Sequence, residues 1–459
     1  MPQDITMNGS AFINHLDDKD LVVRPRTRTG SYSVSRKPAL STVTESSKTL
    51  SSSVPTNNSS AQHPAASTNG YTGKLPATFV PGYSDEATVR RLRYRPLGTT
   101  GLEVSALAIG GGGLERFYGS LDENNAVQSI REGIRRGLNY VHTAPWYGGG
   151  KSEALIGKAL ALVPRRAYYI ATKAGRYAGS VEEMFDFSAK RVVESFEESL
   201  TRLGLSYVDI IQVHDLEFAP NLDIIINETL PALEKLRLAG KVRFIGITGY
   251  QPKTLLEVVQ RSSVKIHTIH CFCRYGMYNN DLLDIVPELR ERGVGVVNAA
   301  PLGLGLLSKN GPEDWHPAND SLKIACRAAV AYAEEQGEDL EKIILKFCYN
   351  SNDIDTTVAS MVCIERPALV HMNIDTVIEP MTDKEKNLVD DVKGQFFRPL
   401  EKTHWEGDPV ARYWEAIREE EALKSINHAR PLTDAVMTRN AYAMFTEPDE
   451  VIMYRKSTI

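Results

Sequence analysis

A chain of 459 residues, 42% of them hydrophobic, carries enough apolar material for a sizeable core and exceeds one average domain without requiring two. Its net charge of −5 gives no general attraction to nucleic acid. No run reaches the roughly 18 apolar residues of a membrane span, and the N-terminus lacks the apolar core of a secretory signal. The five cysteines, Cys271, Cys273, Cys326, Cys348 and Cys363, are few and odd in number, which fits reduced thiols in a cytoplasmic protein. Cys271 and Cys273 share one strand face, and no further residues complete a metal site with them.

Residues 1–90 read as a disordered leader, poor in apolar periodicity and rich in Ser, Thr, Asn and Pro. Within it Arg24, Arg26, Arg28, Arg36 and Lys37 form a basic run. Order is expected from about Arg91, with a β-hairpin over residues 94–105 turning at 99–101. Strands and helices then alternate. Strands are predicted at 106–110, 140–142, 168–173, 207–213, 244–248, 267–271, 294–298 and 355–359. Gly137, Gly204 and Gly240 mark helix ends, and Ser188 is an N-cap for a helix whose apolar face includes Val192, Phe196, Leu200 and Leu203. The fold class is therefore α/β, a (β/α)8 barrel over residues 91–395, followed by a partly helical C-terminal extension over 396–459. No G-x-G-x-x-G opens a first βα unit, which argues against a Rossmann domain.

Three strand ends carry the chemistry. Tyr147 lies in the turn after residues 140–142, Lys173 ends the next strand, and His214 follows the one after it. Catalytic side chains of such barrels sit at the C-terminal ends of the strands. An aromatic hydroxyl beside a cation can act as a proton donor. Taken singly, each residue has an ordinary reading: a surface aromatic, a solvated cation, a hydrogen-bonded strand end. Their order on successive strands is what singles them out.

The stretches 137–153, 171–173, 212–214 and 240–246 resemble the aldo-keto reductases. Residues 296–307 and 311–318 are similar to the L-galactose-dehydrogenase-like branch of that family. The resemblance spans about 92–415. It implies a barrel that binds NADP or NAD without a Rossmann domain, and reversible hydride transfer between the nicotinamide and a carbonyl or alcohol, with a small carbonyl or sugar-like substrate. It assigns proton donation to Tyr147, the neighbouring cation to Lys173 and orientation of the carbonyl to His214. It also places Gly111, Thr248, Cys271, Pro301, Leu302 and Asn373 on the cofactor.

The pattern departs in three places. The family has an aspartate where this chain has His142, so the carboxylate that would pair with the lysine is replaced by an imidazole. Ala300 stands where the branch has a serine. Residues 359–363, Ala-Ser-Met-Val-Cys, replace a Gly-containing phosphate loop. Two functions follow as expectations: an NAD(P)-dependent reductase or dehydrogenase, impaired through His142, or a non-catalytic sensing or regulatory subunit. The second is drawn by analogy with the β subunits of voltage-gated potassium channels, and its protein partner would bind through the leader or the C-terminal extension.

Overall fold

The computed structural model describes residues 75–114, 122–177, 179–359, 367–405 and 408–429. β1 (Tyr94–Pro96) and β2 (Glu103–Ser105) pair antiparallel, as the turn at 99–101 requires. Eight parallel strands follow: β3 (Leu107–Gly110), β4 (Tyr140–His142), β5 (Tyr169–Ala174), β6 (Val208–Val213), β7 (Val242–Gly249), β8 (Thr268–Phe272), β9 (Gly295–Ala299) and β10 (Thr356–Ala359). Each pairs with its sequence neighbour, and β10 pairs with β3 to close the barrel.

Period-two alternation divides every strand between two cores. Ala108, Tyr140, Tyr169, Ala171, Ile210, Val297 and Val358 point inward and meet Leu97, Leu102 and Val104 of the hairpin. Those hairpin residues lie at the strand beginnings, where the backbone of Gly98 closes on Gly295. They plug the N-terminal end of the barrel and leave the C-terminal end for the site. The opposite strand faces, including Ile109, Val141, Ile170 and Ile211, pack against the surrounding helices. The helix Ala189–Leu203 shows the local logic. The Ser188 side chain accepts from the Arg191 N–H, Val192, Phe196, Leu200 and Leu203 are buried, and Gly204 closes the helix at φ 65°.

The folded part begins earlier than Arg91. The helix Glu86–Val89 buries Val89, and the Asn139 side chain donates to the Thr78 hydroxyl at 2.9 Å. Arg166 donates to the carbonyls of Ala77 and Phe79. These contacts are made with residues far along the chain, so no local periodicity announces them. The remainder of the expected leader, the loop residues 360–363 and Cys363 lie outside the described residues. At the other end Asp408–Ala429 forms a helix, and residues 430–459 of the expected extension lie outside the described residues.

Candidate active site

β4 is three residues long, and Tyr140 and His142 share its inward face. The chain then turns through Pro145 and three left-handed glycines, Gly148 (φ 60°), Gly149 (φ 63°) and Gly150 (φ 87°). A side chain at any of these positions would be strained. The turn returns Tyr147 over the barrel mouth, where its hydroxyl lies 2.7 Å from Lys173 Nζ. Lys173 belongs to the inward face of β5, is 1% exposed, and also donates to the Thr143 carbonyl at 3.1 Å. The His214 ring stands perpendicular to Tyr147, with centroids 5.9 Å apart. His142 lies edge-on to Tyr147 at 6.3 Å. The three residues named from strand order thus meet at one end of the barrel, with His142 beside them.

At the aspartate position, His142 Nε2 lies 3.1 Å from Gln212 Oε1 and 3.0 Å from His270 Nδ1. Gln212 Oε1 can only accept, so this assignment puts the His142 proton on Nε2. His270 then presents its Nδ1 lone pair to the same proton and carries its own on Nε2. Burial, followed by the charge of Lys173, holds His142 and His270 well below the usual histidine range. His214 is lowered in the same way, with Arg176 adding to the effect. All three are neutral imidazoles at physiological pH. Burying them neutral stabilises the fold above the unfolded histidine pKa, and this stabilisation is lost as pH falls, because the unfolded chain takes up protons first.

His214 Nδ1 is buried without a hydrogen-bond partner, and its Nε2 lies 3.6 Å from Asp215 Oδ2. Asp215 itself adopts φ 52° and is paired with Arg176 at 2.5 Å. The Arg176 guanidinium stacks over Trp146 at 4.2 Å. Next along the chain, Glu217 accepts from the backbone N–H groups of Tyr250 and Gln251 at 2.7 and 2.8 Å. Burial pushes its carboxyl up to about 7.

Thr248 is inward on β7 and donates to Asp215 Oδ1 at 3.2 Å. Pro301 and Leu302 are buried in the loop after β9, which begins at left-handed Ala300 (φ 51°). Gly111 follows β3, and a Cβ there would meet Ser152 Oγ at 2.5 Å, so the helix Lys151–Leu160 requires a glycine for packing. Cys271 is fully buried on the outward face of β8 in the helix-facing core, while its neighbour His270 faces the site. Asn373 is buried on the helix Pro367–Ile378. Strand alternation carried far enough would have found Gln212 and His270, since Gln212 lies two residues before His214. Nothing local to their own segments could have found Arg176, Asp215 or the aromatic residues around them, because tertiary packing brings these together.

A family model described as the aldo/keto reductase family matches residues 106–393. The L-galactose dehydrogenase of Arabidopsis thaliana is 43% identical over 292 residues, which cover 63% of this chain and 89% of that protein. The D-arabinose 1-dehydrogenase of Saccharomyces cerevisiae is 30% identical over 257 residues, covering 53% of this chain and 75% of the relative. Among solved structures, the aldo-keto reductase AKR11C1 of Bacillus halodurans in its holo form superposes with a TM-score of 0.54 at 28% identity. That match covers 66% of this chain and 96% of the other.

Proposed function

This chain belongs to the aldo/keto reductase family of oxidoreductases, and from that premise we propose that it transfers hydride between NAD(P)H and a small carbonyl compound. The contact of the Tyr147 hydroxyl with Lys173 Nζ at 2.7 Å carries the reading. Hydride addition builds negative charge on the carbonyl oxygen. The Tyr147 hydroxyl supplies the proton that neutralises it, and the adjacent ammonium favours the tyrosinate left behind. The neutral His214 ring, which stands perpendicular to Tyr147 at the same mouth, orients the oxygen between itself and Tyr147.

The inward ring fits a nicotinamide. Gly110 and Ala299 bring little bulk to the strand ends, Thr248 brings a hydroxyl, and the loop after β9 turns through left-handed Ala300, Gly303, Leu304 and Gly305. Thr248, Pro301 and Leu302 would line the cofactor at the mouth, and Asn373 would meet it farther out. When bound, the cofactor supplies or accepts the hydride. Tyr147→Phe removes the proton source and keeps the ring, so carbonyl reduction is expected to fall by on the order of 10²–10⁴ while nicotinamide fluorescence still reports binding. Unchanged turnover in that variant would end this assignment.

A second reading rests on His142. Its Nε2 is held by Gln212 and His270 at the position where the family pattern has a carboxylate. In this reading the protein binds the cofactor without efficient turnover and serves as a sensing or regulatory module. Wild-type turnover abolished by Tyr147→Phe supports the enzyme; cofactor binding without turnover supports the sensor.

A further inference from the structure

The turn that follows β6 carries His214 and is tied to the end of β7 by more than strand pairing. Asp215 leaves β6 at a left-handed φ of 52°, and its N–H donates to the Thr248 hydroxyl at 3.0 Å. The chain then makes one 3-10 turn, Leu216–Phe218. Phe218 is buried in the cluster with Ala144 and Trp146, on which Tyr147 packs. Glu217 instead turns toward β7, where its Oε1 accepts from the N–H groups of both Tyr250 and Gln251, at 2.7 and 2.8 Å. The carboxyl lies flush on Gly249, where an added Cβ would meet both of its oxygens and approach Cδ to 2.8 Å. Its Oε2 is enclosed and accepts no hydrogen bond among the described residues. The Tyr250 carbonyl is taken by Arg274 Nε at 2.9 Å, so the backbone that Glu217 grips is itself held in place.

One carboxyl oxygen holding two successive amides, in a space that only a glycine leaves open, joins two strand ends at the barrel mouth. We propose that Glu217 is a positioning residue: its carboxyl clamps the turn bearing His214 to the end of β7, and so sets where the His214 ring stands relative to Tyr147. The kinetic arm of this proposal rests on the carbonyl-reductase reading, whereas the clamp itself can be read without turnover. The clamp is sensitive to charge. Burial first, and then the charge of Asp215, push the Glu217 carboxyl up to about 7. The titratable groups that face it are Asp215 on its own turn, Tyr250 after β7 and Cys271 on β8, and none of these three brings a positive charge. Arg176 and Arg274, which reach Tyr250, are paired with Asp215 and Asp281. A carboxyl held neutral in the closed clamp favours the open arrangement once it is charged, because Oε2 then gains water.

The test compares the full chain as wild type, Glu217→Gln, Glu217→Ala and Gly249→Ala, from about pH 6 to about pH 8, with benzaldehyde and NADPH. Amide exchange at Tyr250 and Gln251 in the free protein reads the clamp directly, as protection factors corrected for the intrinsic pH dependence. Glutamine keeps a carbonyl oxygen for both amides and cannot ionise. Wild-type kcat is expected to fall roughly tenfold as pH rises through about 7, with protection falling alongside, and this inflection is expected to vanish in Glu217→Gln. Glu217→Ala is expected to lose roughly tenfold in kcat and in protection already at about pH 6, with cofactor affinity by nicotinamide fluorescence unchanged. Gly249→Ala displaces the carboxyl from the other side, so it is expected to lower protection with Glu217 intact. An inflection shared by wild type and Glu217→Gln, or protection unchanged in Glu217→Ala, overturns the clamp and leaves the hydride-transfer reading standing. Protection that follows pH in wild type but not in Glu217→Gln, in a protein that reduces no carbonyl, supports the clamp and ends that reading.

Discussion

At the scale of single residues, the site is governed by which groups carry charge inside a nearly closed barrel mouth. His142 is neutral and committed to Gln212 and His270, so it cannot supply the field that a carboxylate at that position would place beside Lys173. His142→Asp is expected to raise kcat for carbonyl reduction by about tenfold or more, since each pKa unit of better tuning is worth about 1.4 kcal/mol. Steady-state reduction with cofactor binding measured in parallel checks this; an unchanged or lower kcat with cofactor bound refutes it. Glu217 offers a test of the opposite electrostatic kind. Its residue keeps some exposure, but Oε2 is enclosed and without a hydrogen-bond partner. With its folded pKa raised to about 7, the folded state keeps a proton that the unfolded chain releases at lower pH. Its contribution to stability is therefore full below the unfolded carboxylate pKa and is lost as pH rises through about 7. Glu217→Gln is expected to stabilise by about 1–3 kcal/mol more at pH 8 than at pH 5 in urea denaturation. A gain independent of pH would mean that the carboxyl is not charged at the cost inferred.

At the scale of elements, close crossing between helices fixes where the site-bearing turn can sit. Gly157, on the helix Lys151–Leu160, faces the end of the helix Ala189–Leu203; an added Cβ would lie 2.5 Å from the Arg202 carbonyl and 2.9 Å from that of Leu203. These are backbone atoms, so relief requires the helix to move rather than a side chain to rotate. Gly157→Ala is expected to destabilise by about 1–3 kcal/mol, despite the better helix propensity of alanine, with a lower midpoint and unchanged slope in urea. The same helix carries Ser152, whose hydroxyl holds the Gly111 carbonyl at 2.9 Å and meets Thr143 Oγ1 at 2.8 Å. Displacing it reaches the Thr143 carbonyl that accepts from Lys173. A net stabilisation would show that the crossing has slack.

At the scale of the whole molecule, the described residues before Arg91 are part of the packed body. Thr78 and Val89 are 5% and 3% exposed, and the Asp85 N–H donates to the Arg135 carbonyl at 2.8 Å. A chain beginning at residue 75 is expected to melt like the full protein, whereas one beginning at residue 91 loses these contacts and melts several degrees lower. Equal Tm values for the two would put the boundary back at 91. The described residues contain no helix long and apolar enough to cross a membrane.

Features with local causes were legible in the residues alone. Alternation and breaker residues located the eight barrel strands, the hairpin turn and the Ser188 and Gly204 caps, because each depends on neighbours a few positions away. The order of Tyr147, Lys173 and His214 on successive strand ends put them at one mouth, because parallel strands around a closed barrel leave their ends together. Tertiary structure decided the rest. It turned both His270 and Gln212 to His142, and it gave Cys271 to the helix-facing core. It folded residues 75–90 onto helices and loops far along the chain, and seated Tyr413 against Phe218 from some 200 positions away. Such contacts arise from burial of complementary surfaces brought together only by closing the barrel, and no periodicity within a segment encodes the partner it will meet.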